Sequence, residues 1–195
     1  MTLLFASSNK NKIREINALV PETYSVIGLH DIGITEEIPE PGTTIKENSF
    51  LKANYVLEFL KTKNEPMAVF ADDSGLEVEA LNGAPGVYSA RYAGTPKNDA
   101  ANNKKLLEEL KLVTNRKARF VTVITLMIND EIHYFEGEIK GTISYEARGT
   151  NGFGYDPLFI PQGYRSTFAE LSPETKNTIS HRAVAVNKLV DFLHG

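Results

Sequence analysis

The sequence predicts an α/β protein built on a mixed β-sheet, and three observations carry that expectation. Apolar runs rich in β-branched or aromatic residues recur at positions 3–6, 24–29, 67–71, 119–128, 132–143 and 158–160, the composition of strands. Four stripes of apolar residues at helical spacing lie between or after them. The runs 119–128 and 132–143 are separated only by Asn129, Asp130 and Glu131, the spacing of an antiparallel hairpin, so a purely parallel doubly wound sheet is not expected.

In chain order, residues 3–6 are uniformly apolar, as a strand covered on both faces would be. Ile13, Ile16 and Val20 then recur on one helical face, and residues 24–29 return to a strand pattern. Thr44-Ile45-Lys46-Glu47 has the spacing of a capping box, which starts the second helix; its apolar stripe is Ala53, Val56, Leu57 and Leu60. Residues 67–71 read as a strand ending at Asp72-Asp73. Leu106, Leu107 and Leu110 mark a third helix with Asp99 as its cap, and Ile179, Ala183, Val186, Val190 and Leu193 a fourth. There is no repeat or low-complexity tract, and the loops around Pro39-Glu40-Pro41-Gly42 and Gly83-Ala84-Pro85-Gly86 are too short for linkers. One domain over residues 1–195 is expected.

Composition narrows the function. The 21 basic and 25 acidic residues give a net charge of −4 with no long block of either sign, so stable wrapping of nucleic acid is not expected. Cysteine is absent, which leaves oxygen ligands or histidine for any metal and favours a hard cation. The apolar run at 3–6 is far shorter than a signal or membrane-spanning segment. A cytoplasmic protein that does not engage membranes is expected.

Four clusters carry chemistry. Ser7, Ser8, Asn9, Lys10, Asn11 and Lys12 sit at a strand-to-helix junction. They read either as a solvated helix start capped by Ser8 or Asn9, or as a phosphate cradle of free N–H groups, amides and ammonium groups. "ADDSG", residues 71–75, places two carboxylates side by side. Their repulsion calls for a cation between them or a shared proton, unless the stretch is an acidic turn. Glu40 is held between two prolines, and the helix that follows carries Asn48 and Lys52 four residues apart, on a face that Asp73 could share. "GTNGFGYDP", residues 149–157, alternates glycine with Phe153 and Tyr155. It suits a flat heterocycle or, equally, an aromatic turn packed on the core. Lys176 and the trio Ser180-His181-Arg182 follow near the last helix.

The combination of "SSNKNK", "ADDSG", "NGAPGVYSARYAG", "GFGYDP" and "SHR", in that order from Ser7 to Arg182, resembles the inosine triphosphate pyrophosphatase family. The resemblance implies an elongated α/β fold with two lobes around a central substrate cleft, usually as a homodimer. It also implies Mg²⁺-dependent hydrolysis of ITP, dITP and XTP to the monophosphate and pyrophosphate, with Mn²⁺ as a substitute. By matching motif, Asp73 is the general base, and Glu40, Asp73 and Asp72 are the metal ligands. Residues 7–12 and Ser74 belong to the phosphate and ribose portions, Lys52 is a further substrate-binding residue, and Phe153, Gly154, Tyr155, Asp156, Lys176, His181 and Arg182 complete the nucleotide site. Arg182 or backbone N–H groups are expected to read the 6-oxo group of the base. Among other classes, a Maf-like pyrophosphatase lacks the aromatic loop, a Nudix hydrolase would need an R-E-x-x-E-E pattern, and a non-hydrolytic nucleotide sensor would gain nothing from paired carboxylates near phosphate.

Overall fold

Alternation along strands sorts the side chains of this chain into cores. A computed structural model describes residues 1–63 and 67–195. Among them run β1 (Thr2–Phe5), α1 (Lys10–Leu19), β2 (Ser25–Gly28), α2 (Ile45–Thr62), β3 (Ala68–Val78), α3 (Asp99–Glu109), β4 (Lys117–Ile128), β5 (Glu131–Ile143), β6 (Phe159–Pro161), α4 (Pro173–Ile179) and α5 (His181–His194). The strands form one six-stranded sheet in the order β2-β1-β3-β4-β5-β6. β1 is parallel to β2 and β3, whereas β5 and β6 are antiparallel. The sheet is therefore mixed, as the hairpin spacing predicts. Asn129 and Asp130 make that hairpin's turn with φ of 50° and 62°, the left-handed pair that a tight two-residue connection requires.

The chain divides into two compact units. The first comprises Met1–Asp73, Thr122–Gly137 and Arg182–Gly195. Because successive strand side chains point to opposite faces, Leu3, Phe5, Ala68, Phe70, Ile124 and Leu126 form one core with Ile16 of α1 and Ala185, Val186, Leu189 and Val190 of α5. Leu4, Ala6, Val69, Ala71 and Met127 form a second core with Ala53, Val56 and Leu60 of α2. Both faces are covered, which is why β1 reads as an unbroken apolar run. The second unit comprises Ser74–Val121 and Glu138–His181. Its core joins Leu76 and Val78 of β3 to Leu106 and Leu110 of α3, Phe120, Ile143, Phe159 and Phe168.

Three expectations change. β3 does not stop at Ala71 but continues through both aspartates and Ser74 to Val78, so "ADDSG" is strand and not turn. The last apolar stripe is split: Ser180, with φ −68° and ψ 157°, leaves helical geometry, so α4 ends at Ile179 and α5 begins at His181. Ile179 accordingly packs with the second unit's core and Val186 with the first unit's. Asn98, not Asp99, caps α3, its side chain accepting from the Ala101 N–H at 2.9 Å. Thr44 caps α2 as expected, with Glu47 reaching the Thr43 N–H at 2.7 Å. No helix among the described residues is long and apolar enough to cross a membrane.

Candidate active site

In the first unit the turn from β1 to α1 is built by its own polar side chains. Asn9 caps the helix, its carboxamide oxygen accepting from the N–H groups of Asn11 (3.0 Å) and Lys12 (3.2 Å), while Ser7 Oγ accepts from the Asn9 N–H at 3.2 Å. Ser8, Asn9 and Lys10 are exposed. Lys12 turns inward, one helical turn along. Its Nζ donates to Asp72 Oδ1 at 3.1 Å.

Strand alternation resolves the problem of the paired aspartates. Asp72 follows Phe70 in the two-residue repeat and faces α1 and α5; Asp73 follows Ala71 and faces α2. Each carboxylate therefore has its own cations. Asp72 takes Lys12 on one oxygen and Arg182 Nε on the other, at 3.2 Å. Arg182 also bonds Glu15 through Nη1. Asp72 and Arg182 are each only 1% exposed. Burial acts to raise the Asp72 carboxyl, but Lys12 and Arg182 outweigh it and hold the group well below the usual carboxylate range. On Lys12, burial wins over the attraction of Asp72 and lowers the ammonium.

On the other face Lys52 Nζ lies 2.6 Å from Glu40 Oε1 and 3.5 Å from Asp73 Oδ1. Asp73 Oδ2 is buried and has no hydrogen-bond partner among the described residues. Burial pushes the Asp73 carboxyl above its ordinary value; Lys52 and Lys12 oppose this, and Glu40 and Asp72 add to it. Burial would lower the Lys52 ammonium, but Asp73 and Glu40 outweigh it and hold the group above the ordinary lysine value. A base whose proton affinity is raised, beside an ammonium that stays charged, is the polarised pair that general-base chemistry uses.

The backbone around this group is pinned. The Gly42 N–H donates to Asn48 Oδ1 at 2.7 Å, and a Cβ at Gly42 would fall on that carboxamide, so the loop carrying Glu40 is seated against α2. Ser49 Oγ donates to the Ala71 carbonyl at 3.0 Å and lies 2.8 Å from Thr125 Oγ1, fixing β3 beside the aspartates. Among the described residues no group of three or more His, Asp or Glu side chains is placed to hold a metal. Glu40 and the orphaned Asp73 oxygen nevertheless fit a hard cation that takes its remaining ligands from phosphate and water, as Mg²⁺ commonly does.

In the second unit the glycine-rich loop folds on Asp156. Its Oδ2 accepts from the Phe153 N–H at 3.0 Å and from Lys176 Nζ at 2.6 Å. Gly152 has φ 74°, and a Cβ there would collide with the Asp156 carboxylate, so only glycine closes this turn. Lys176 sits 4.9 Å from the centre of the Phe153 ring. Tyr155 does not offer an open ring face: it is 4% exposed, packs in the core, and donates its hydroxyl to the Ser89 carbonyl at 2.7 Å. His181 stacks on Phe120 with ring centres 4.7 Å apart. Ser74 is half-buried on β3.

The structure thus gathers Lys12, Asp72 and Arg182 on one face of β3, Glu40, Lys52 and Asp73 on the other, and Phe153, Asp156 and Lys176 in a third cluster. Arg182, expected to face the base, lies between Glu15 and Asp72, bonding the first through Nη1 and the second through Nε. Glu15 escapes the sequence reading, although its position three residues after Lys12 puts it on the same face of α1.

The chain as a whole is similar to known proteins. The chain is 54% identical over 98% of its length to a dITP/XTP pyrophosphatase of Flavobacterium psychrophilum, covering 98% of that protein, and 52% identical over 98% of its length to one of Porphyromonas gingivalis, covering 96% of it. A solved Ham1 protein of Staphylococcus aureus matches the whole chain with a TM-score of 0.88 at 44% identity, with 99% of that chain covered. The Coxiella burnetii HAM1 protein does so with a TM-score of 0.89 at 38% identity, with 98% covered. The model of the Ham1 family matches residues 3–192, a span that takes in every cluster described above, and the chain belongs to the Ham1 family.

Proposed function

We propose that this protein hydrolyses the non-canonical purine nucleotides dITP, ITP and XTP to the monophosphate and pyrophosphate, cleansing the nucleotide pool. The observation that carries this reading is Asp73: a buried carboxylate with raised proton affinity and one unengaged oxygen, beside Lys52 and Glu40. The names of the relatives, dITP/XTP pyrophosphatases, supply the substrate class.

In this mechanism water attacks the α-phosphorus. The new P–O bond forms as the bond to the bridging oxygen breaks, pyrophosphate departs with that electron pair, and Asp73 accepts the water proton. Lys52 keeps its charge and orients Asp73 and Glu40. The β1–α1 turn, with Ser7, Ser8, Asn11 and the Lys10 ammonium, holds the polyphosphate. Ser74 serves the ribose or phosphate. Phe153 offers its ring to the base, with Gly154 and Tyr155 shaping the loop and Asp156 and Lys176 fixing the ring, and His181 borders the same portion. Glu40 and Asp73 would hold Mg²⁺ or, in its place, Mn²⁺, whose chemistry is to neutralise phosphate oxygens. Asp72 is assigned to positioning Lys12 and Arg182 and not to the metal, because each of its oxygens already bonds a cation. The protein is proposed to act as a cytoplasmic homodimer, to be checked by analytical ultracentrifugation.

The deciding experiment is product analysis on purified protein. ITP is expected to yield IMP and pyrophosphate; release of orthophosphate alone would refute the reading. ATP presents a donor amine where ITP presents an acceptor oxygen. One or two unsatisfied buried groups at about 1–3 kcal/mol each make its kcat/KM lower by roughly two orders of magnitude. Chelation by EDTA is expected to abolish turnover, with Mg²⁺ or Mn²⁺ restoring it; turnover persisting after thorough chelation would remove the metal role of Glu40 and Asp73.

A further inference from the structure

The loop of residues 151–157 has no strand or helix of its own. From within, it is tied by the Phe153 N–H on Asp156 and by the Asp156 N–H on the Phe153 carbonyl at 3.1 Å. Its tip, Gly154, has φ 60° and no side chain, so backbone groups are all that can anchor it. Both are taken by one face of α3. Asp99 Oδ2 accepts from the Gly154 N–H at 2.7 Å, and Asn103 Nδ2 donates to the Gly154 carbonyl at 3.0 Å. Residues four apart are neighbours on a helix surface, so a carboxylate and a carboxamide grip the two polar groups of a single residue. The adjacent Asn102, 2% exposed, turns to another segment: it accepts from the Ala93 N–H at 2.7 Å and donates to the Ala90 carbonyl at 3.1 Å. Tyr155, next to Gly154, donates to the Ser89 carbonyl, so the loop and the 3-10 turn Gly86–Arg91, both held by α3, are also tied to each other.

We infer that Asp99 and Asn103 are positioning residues that set base specificity: by clamping Gly154 through both its N–H and its C=O, α3 fixes where the Phe153 ring and the loop's remaining donors meet the purine. The inference rests on the assignment of the base to this loop. A glycine with positive φ has little intrinsic preference for one conformation, and a ring carried beside it shifts when either bond is lost. Neither residue is required to touch the substrate. Their loss falls on base recognition and spares the phosphates, which a general loss of structure would not do.

The test compares binding and turnover in wild type, Asn103→Ala, Asp99→Ala and Asp99→Asn. Calorimetric titration is expected to show IMP binding weakened about tenfold in the alanine variants, the equivalent of one hydrogen bond at about 1–1.5 kcal/mol, with pyrophosphate binding unchanged. The ITP-to-ATP ratio of kcat/KM is expected to fall by a similar factor, through KM more than kcat. Asp99→Asn keeps an acceptor oxygen and is expected to recover most of what Asp99→Ala loses. Should Asn103→Ala fail to fold, the Asp99 pair reads the same contrast. Equal weakening of IMP and pyrophosphate, or an unchanged ITP-to-ATP ratio in variants that fold, would overturn the clamp. A wild-type protein that does not favour ITP over ATP would instead overturn the proposed substrate class.

Discussion

Asp73→Asn is expected to lower kcat for ITP by about 10²–10⁴-fold, the range for loss of a general base, while the protein folds and still binds nucleotide. Asparagine keeps the volume but can neither accept the water proton nor ligate a cation as an anion. Turnover near the wild-type rate in a variant of verified fold would remove Asp73 from the mechanism. The pH dependence follows from the direction of its shift. The base works only when deprotonated and burial raises its proton affinity, so the acid limb of kcat/KM at subsaturating Mg²⁺, which reports the free enzyme, should lie above the ordinary aspartate value of about 3.9. The stability consequence has the opposite sign. The folded state holds this proton more tightly than the unfolded state, so between the two pKa values Asp73 costs stability as pH rises. Asp73→Asn should therefore melt at an equal or higher temperature than wild type at neutral pH, which separates a catalytic loss from a folding loss.

Asp72→Asn is expected to destabilise the fold by about 3–5 kcal/mol, because it leaves buried cations without their counter-charge. Arg182 and Lys12 approach opposite oxygens of Asp72. An amide must turn its NH₂ group toward one of them, donor against donor. Chemical denaturation at neutral pH measures the loss, and a difference under about 1 kcal/mol would mean that the pair contributes no more than an exposed one. Here the folded pKa is depressed. The contribution is complete above the unfolded value of about 3.9 and is lost only as pH falls through the lower folded value. The gap between wild type and variant should thus hold steady through neutral pH and close only in strong acid.

Much of this architecture was legible before the structure, and its omissions have a common cause. All six strands lie where apolar runs predict them, and the Thr44 cap and the turn at 129–130 follow from local chemistry. What escaped was set by distant contacts. "ADDSG" has the composition of a turn, and it becomes strand because ladder pairing and burial override that local preference. The partners of Asp72 lie 60 and 110 residues away in sequence, so nothing near the aspartates announces that their repulsion is relieved. The break at Ser180 carries no glycine or proline, and only the assignment of Ile179 and Val186 to different cores reveals it. Tyr155 stays open between ligand and core at the level of sequence, because an aromatic beside glycine looks the same whether its ring faces a ligand or a core.

The two-residue repeat of β3 also constrains what kinds of genetic change the site can absorb. Substitutions at Ala68–Val78 alter one side chain, but deletion of a single residue between the β1 pairing partner Ala68 and Asp72 would invert the facing of everything downstream. With the pairing of Leu3 to Ala68 retained, the carboxylate that now serves Lys12 and Arg182 would turn toward Lys52, and the proposed base toward α1 and α5. Chemical content would be unchanged and both halves of the site would be wrong. Changes in chain length should therefore be tolerated in the connections and excluded from this strand, a pattern that codon-deletion scanning with an activity readout would expose directly.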